Sequence, residues 1–158
     1  MDANPSTSGS VHFTVMFSQE VSGVDAGDFV LTAGGGISGT GIVEVLGSGN
    51  SYSVTVNAGA GDGTLRLDLL DNDSIVDTQQ FPLGGPGSGN GGFTNGDVYT
   101  FDRTAPRMTD SLLADPSPTI ADSVRFTVSF SESVTGVDGS DFVLATTGSI
   151  SGGAAINA

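Results

Sequence analysis

The chain reads as an all-β protein, an antiparallel β-sandwich, on three observations. Apolar residues recur at every second position in short runs, and no stretch carries a 3.6-residue period. Clusters of Gly, Ser, Asn and Asp separate the runs, as tight turns require. One long segment then occurs twice without a gap.

The strands follow in order. In Val11-His12-Phe13-Thr14-Val15-Met16-Phe17 every odd position is apolar, the pattern of a half-buried strand. Asp28–Thr32, Gly41–Leu46 and Tyr52–Asn57 come next, the last with Tyr52, Val54 and Val56 facing inward. Gly47-Ser48-Gly49-Asn50 is read as the turn between two of them. Thr64–Leu70 places Leu65, Leu67 and Leu69 inward after the turn Gly61-Asp62-Gly63, and Asp97–Asp102 closes the series. The 26 residues from Asp71 to Gly96 exceed an ordinary loop, so they are expected to be functional or mobile.

Residues 10–31, SVHFTVMFSQEVSGVDAGDFVL, return as 123–144, SVRFTVSFSESVTGVDGSDFVL. The offset is 113 (Val124 minus Val11), and it persists to Ile37/Ile150, Ser38/Ser151 and Gly39/Gly152. That period is one whole sandwich domain rather than a solenoid turn. The expected organisation is a first repeat over 1–103 and a second, truncated repeat over 104–158. Met108–Leu113 reads as strand A of the second copy, a strand for which the first has no equivalent. The second copy is expected to lack the strands matching 51–57, 64–70 and 97–103. With strand A a full unit has seven strands, the number of an immunoglobulin-like sandwich.

Composition narrows the function. Of 158 residues, 37% are hydrophobic, including nine Phe, enough for a core. Eighteen acids oppose four arginines, with no lysine, for a formal charge of −14. Such a surface repels nucleic acid and anionic lipid, which need a basic patch, and it attracts divalent cations. Acidity also keeps an extracellular protein soluble, and both readings stay open. There is no cysteine, so neither disulfides nor thiolate metal sites form. Met1–Ser10 has no apolar stretch of an export signal and no run approaches membrane length, so membrane insertion is not expected, and any export signal is expected outside this sequence.

The run F-S-x-x-V-x-G-V-D-x-x-D-F at Phe17–Phe29 and Phe130–Phe142 resembles bacterial immunoglobulin-like tandem repeats of giant adhesins and biofilm-associated surface proteins. So do D-N-D-S-I-V-D at Asp71–Asp77, followed by Pro82-Leu83-Gly84-Gly85, and the junction Tyr99-x-Phe101-Asp102-x-Thr104-Ala105-Pro106. The resemblance implies an extracellular or cell-surface location, neighbouring repeats as partners, and a stalk that carries a tip domain. It further implies calcium at domain junctions, with a linker aspartate among its ligands. The missing first strand and the shortened second copy depart from the pattern, and no tip domain is present to name a receptor.

The acids support a calcium site independently. With strands lettered A to G, the B–C, D–E and F–G loops share one end of such a sandwich. Glu20, Asp25 and Asp28 fall in B–C, and Asp71, Asp73 and Asp77 in F–G. The second copy repeats the first cluster as Glu132, Asp138 and Asp141, and the linker is expected to bring Asp102 to that end. A hard cation taking six to eight oxygens needs such convergence. Asp102, Glu132, Asp138 and Asp141 are therefore the expected junction ligands. The alternative is that Asp serves here as a turn and cap former bonding loop amides.

Other signals fail. Asp71-Asn72-Asp73 opens like an EF-hand loop, but Ile75 stands at a ligand position and no Gly or Glu follows in register. The glycine-rich GGPGSGNGG at Gly84–Gly92 has no lysine and no helix behind it, so it is not a phosphate loop. His12 sits on the outer face and is matched by Arg125, so no catalytic triad or histidine-ligated zinc is expected. With no Trp and only Tyr52 and Tyr99, a sugar-cleaving cleft lacks its platforms. The expected function is a structural spacer stiffened by calcium, not an enzyme. A module gripping a host or matrix glycan or protein through Phe81 and Phe93 is the alternative. Assembly through exposed strand edges is a third.

Overall fold

The computed structural model describes residues 2–148, so Ile150, Ser151 and Gly152 of the repeat lie outside the described residues. Two units are compact, Met1–Thr104 and Ala105–Ala158. Among the described residues there is no α-helix, only strands and two one-turn 3-10 helices.

The first unit contains β1 (Ser10–Ser22), β2 (Phe29–Gly35), β3 (Gly41–Asn57), β4 (Gly63–Leu69), β5 (Val76–Asp77) and β6 (Val98–Phe101). They form two antiparallel three-stranded sheets, ordered β3-β1-β5 and β2-β4-β6. Alternation sets the inner faces. Val11, Val54, Val56 and Leu65 have no exposed surface, and Phe13, Leu67, Leu69, Tyr99 and Phe101 are buried with them. Burying each such aliphatic side chain stabilises the fold by roughly 1.5–3 kcal/mol. Phe13 of one sheet meets Tyr99 of the other edge-on at 5.1 Å, which ties the two layers together. The arrangement is sandwich-like, as the alternation requires.

The expected turn at Gly47–Asn50 is not a turn. β3 runs continuously through it, so two expected strands are one strand of 17 residues. The reason lies in β1, which pairs Ser10–Met16 with Asn57–Ser51 and then, after an irregularity, pairs Val21 with Gly49. Gly47 and Gly49 take φ values of 145° and 66°, which let the chain kink within the ladder instead of reversing. The long segment after β4 is also ordered by the fold. Its Ile75 is 2% exposed in the core, β5 pairs with the end of β1, and Phe93 exchanges backbone hydrogen bonds with Leu69. The segment before β1 lies along β6: Ser6 pairs in parallel with Phe101, and the Asn4 side chain bonds both Val98 O and Thr100 N.

In the second unit β7 (Met108–Leu113) pairs antiparallel with β8 (Phe126–Phe130). The alternation of β8 copies that of β1, but Phe126 is 48% exposed where its counterpart Phe13 is 9%. Among the described residues only these two strands are present, so no second sheet covers that face.

Candidate functional site

The motif V-D-x-x-D-F has a local physical meaning. Asp25 caps a single 3-10 turn, Ala26–Asp28, by accepting the Gly27 amide at 2.7 Å, while Asp28 reaches back to the Asp25 amide at 2.7 Å. This reciprocal capping box ends the loop and launches β2. The second copy repeats it. The Asp138 carboxylate accepts the Ser140 amide at 2.7 Å, and Asp141 accepts the Asp138 amide at 2.8 Å. Bonds from the Ser140 hydroxyl and amide hold the Asp138 carboxyl below its ordinary pKa.

The two acidic loops of the first unit do meet. The Ser74 hydroxyl donates to Asp28 at 2.6 Å, and the Leu70 amide donates to the Asp28 carbonyl at 2.7 Å. Asp28 is 1% exposed, and its carboxyl accepts the Ser74 hydroxyl and the Asp25 amide in place of water. Glu20 remains on the exposed part of β1.

In the F–G region each aspartate organises its own stretch of backbone. Asp71 accepts the amides of Asp73, Asn90 and Gly91, and these bonds, Gly91 first, hold its carboxyl below the ordinary value. The Gly87 amide donates to Asp73 at 2.9 Å. The glycine-rich loop thus does cradle anions with its amides, but the anions are the chain's own carboxylates. Asp77 accepts the amides of Gln79 and Phe81 on one oxygen and the Gln19 side chain on the other. Asp73 differs from the rest: its Oδ1 is buried and meets no donor among the described residues.

The linker aspartate Asp102 is exposed and accepts only the Thr104 amide, at 3.3 Å, among the described residues. Glu132 is exposed. Among the described residues no group of three or more His, Asp or Glu side chains gathers in a way that could hold a metal ion. Asp73 Oδ1 is the one buried carboxylate oxygen without a donor among the described residues, whereas Asp25, Asp71 and Asp77 already hold backbone amides.

Arg103 flanks the linker, where the sequence suggests pairing with a loop acid, and its neighbour in the fold is Asp62 of the Gly61-Asp62-Gly63 turn. Asp62 accepts the Arg103 amide at 2.6 Å and the Thr104 hydroxyl, and the latter bond is the main cause of its lowered pKa. The Arg103 guanidinium lies 4.5 Å from the Phe101 ring centroid and donates to Gly61 O and Ser8 O. Together they pin the end of β6 to the β3–β4 connection. Asp68, 6% exposed, pairs with Arg66 at 2.6 Å and accepts the Thr32 hydroxyl at 2.5 Å. Arg66 first, then Thr32, hold its carboxyl below the ordinary value. These partners are too far apart in sequence for spacing to reveal them, Asp68 and its neighbour Arg66 excepted.

Beside the end of β1, a cavity of about 200 Å³ is lined by Phe17, Gln19, Asp77 and Phe81 among others. Phe81 and Phe93 are 61% and 54% exposed. Comparison with known proteins is silent: no protein family, characterised protein or solved structure matches the chain.

Proposed function

We propose that the chain is a structural spacer: immunoglobulin-like sandwich modules in tandem, part of a bacterial surface or secreted adhesin, with neighbouring repeats as its partners and no catalytic role. The observation that carries the reading is the repeated capping box. The polar residues of the duplicated motif, Asp25 and Asp28 and again Asp138 and Asp141, are engaged with backbone amides that shape the same loop twice. A duplicated motif used for scaffolding suits a module selected to stack and extend.

Calcium is the proposed stiffener. Its support is the net charge of −14, the meeting of the two acidic loops through Asp28 and Ser74, and the unpartnered oxygen of Asp73. A buried carboxylate oxygen without a donor costs free energy that a hard cation would recover. Bound calcium would supply charge neutralisation and cross-linking of loops; Asp73 would hold it in the first unit, or Asp102 at the linker. Thermal melting with calcium, with magnesium and with excess EDTA tests the idea. Saturating calcium should raise the midpoint by roughly 5–10 °C for a unit of this size. Loss of that rise in Asp73→Asn places the ion in the first unit; loss in Asp102→Ala places it at the linker. Equal midpoints in calcium and EDTA would remove calcium and leave a plain spacer.

A binding module for a matrix glycan or protein is the second reading, favoured by exposed Phe81 at the rim of the cavity with the polar side chains of Gln19 and Asp77. Glycan-array binding lost in Phe81→Ala would support it over the spacer.

A further inference from the structure

Two of the seven asparagines are followed by glycine, Asn90-Gly91 and Asn95-Gly96, and the fold treats the two pairs differently. Glycine has no Cβ to shield its backbone nitrogen, so that nitrogen can reach the Cγ of a preceding asparagine and close a cyclic imide. In Asn90-Gly91 both reacting groups are held. The Asn90 side-chain nitrogen donates to Gly85 O at 3.1 Å and to Pro86 O at 3.3 Å, and the Gly91 amide donates to the Asp71 carboxylate at 3.0 Å. The Asp71 carboxyl lies below its ordinary pKa, chiefly through that Gly91 bond. It therefore anchors the nitrogen without being basic enough to take its proton.

In Asn95-Gly96 neither group is held. Asn95 is exposed, and among the described residues its side chain makes no hydrogen bond and the Gly96 amide finds no acceptor. The cause is a mismatch in the ladder between β4 and the chain entering β6. Phe93 exchanges bonds with Leu69, and Val98 pairs with Arg66. Four residues, Thr94–Asp97, therefore stand opposite two, Leu67 and Asp68. The surplus forms a bulge, whose amides are unpaired among the described residues.

We propose that Asn95 is a self-modification site, at which the folded chain slowly converts its own amide to a carboxylate while Asn90 is spared. The Gly96 nitrogen gives its proton to water and attacks Asn95 Cγ. The Cγ–Nδ2 bond then breaks, and Nδ2 takes up a proton and leaves as ammonia. Water opens the imide at either carbonyl. Opening at Cγ leaves aspartate; opening at the main-chain carbonyl leaves isoaspartate, with the chain running through the former side chain. Water is the only other reactant. Each conversion places a carboxylate two residues before Asp97 and makes the net charge of −14 one unit more negative. The main-chain carbon that isoaspartate adds falls within the bulge, between the Leu69–Phe93 and Arg66–Val98 pairs, where no ladder bond has to break. Asn90 reacts only after three bonds open, which slows it roughly a hundredfold relative to Asn95.

Incubating the full chain at neutral pH in water enriched in heavy oxygen tests the proposal. Trypsin in ordinary water then releases Leu67–Arg103 with both asparagines on it, because Arg66 and Arg103 flank them and there is no lysine. Tandem mass spectrometry should find the label accumulating at Asn95, roughly a hundredfold ahead of Asn90. In concentrated urea the two should label at comparable rates, since the bonds that separate them are gone. Asp71→Ala frees the Gly91 amide, so it should speed labelling of Asn90 and leave Asn95 unchanged. If circular dichroism shows that Asp71→Ala does not fold, the native and urea rates decide alone. An unlabelled Asn95, equal rates in the native chain, or a native ratio that urea leaves unchanged overturns the proposal. So does a folded Asp71→Ala variant in which Asn90 labels no faster, because Asp71 would then not be what protects it.

Discussion

The Ser74 hydroxyl donates to the Asp28 carboxylate at 2.6 Å, joining two loops that lie 46 residues apart in the chain. Asp28 also holds the Asp25 amide and is 1% exposed. Replacing it with Ala leaves the Asp25 amide and the Ser74 hydroxyl without their buried acceptor. Hydrogen bonds to a charged group contribute about 1.5–3 kcal/mol each, so Asp28→Ala should cost roughly 3 kcal/mol or more. Asp141→Ala removes the counterpart in the second copy, where the carboxylate is exposed, and should cost well under half as much. Urea unfolding of the two variants checks the contrast; equal losses would show that the loop junction adds nothing to the capping box.

Gly23 belongs to the same junction. Its φ is +87°, and a Cβ there would stand 2.3 Å from the Ser74 carbonyl oxygen. Its counterpart Gly136 has φ +81° but open space around the added atom. Gly136→Ala should therefore cost only the left-handed backbone penalty, about 1 kcal/mol, whereas Gly23→Ala must also push two loops apart and should cost roughly 3 kcal/mol or more. Differential melting of the two variants measures the steric share directly.

Sequence made some of this legible and hid the rest for physical reasons. The inner faces were readable because alternation fixes them: Val11, Phe13, Val54, Val56, Leu65, Leu67 and Leu69 are all in the core. The course of β3 was not. A Gly-Ser-Gly-Asn run permits either a reversal or a bulge, and the choice is made by Val21 pairing with Gly49, a tertiary event. Asp25 and Asp28 were visible as acids three apart, a spacing that also announces a capping box, and the cap is what the loop forms. The clasp of Asp62 on Arg103 and Thr104 has no local signature, since it exists only once β6 has closed the second sheet.

That clasp yields the next expectation. Arg103 stacks on Phe101 and donates to two carbonyls, on Gly61 and Ser8, that no other side chain reaches in the described structure. Arg103→Ala should destabilise the first unit by about 1–2 kcal/mol, combining a partly exposed cation–π contact with two bonds. Arg103→Lys keeps the charge but not the planar fork, and should recover less than half of the loss. Amide exchange read by NMR should show the effect concentrated at Ser8, Gly61 and the end of β6. A loss spread evenly over the core would assign Arg103 to global packing instead.

Acid sensitivity follows from the direction in which the carboxylates titrate. Asp2, Asp62, Asp68 and Asp71 all have pKa values below their ordinary 3.8, through His12, Thr104, Arg66 and Gly91 respectively as the main partners. In the unfolded chain these groups bind protons more readily than in the native one, so stability rises with pH wherever they titrate. Their contribution is complete above the ordinary carboxylate range and is lost as pH falls through the lowered native values. Urea midpoints should accordingly be flat from about pH 5 to 7 and fall steeply below about pH 4. Asp71→Asn removes one titrating group, and the slope below pH 4 should become shallower. Its neutral amide should also loosen the glycine-rich loop, raising exchange at Asn90 and Gly91 while Val54 and Leu65 stay protected. An unchanged acid slope in that variant would mean that Asp71 keeps an ordinary affinity for its proton and that the loop amides hold it only loosely.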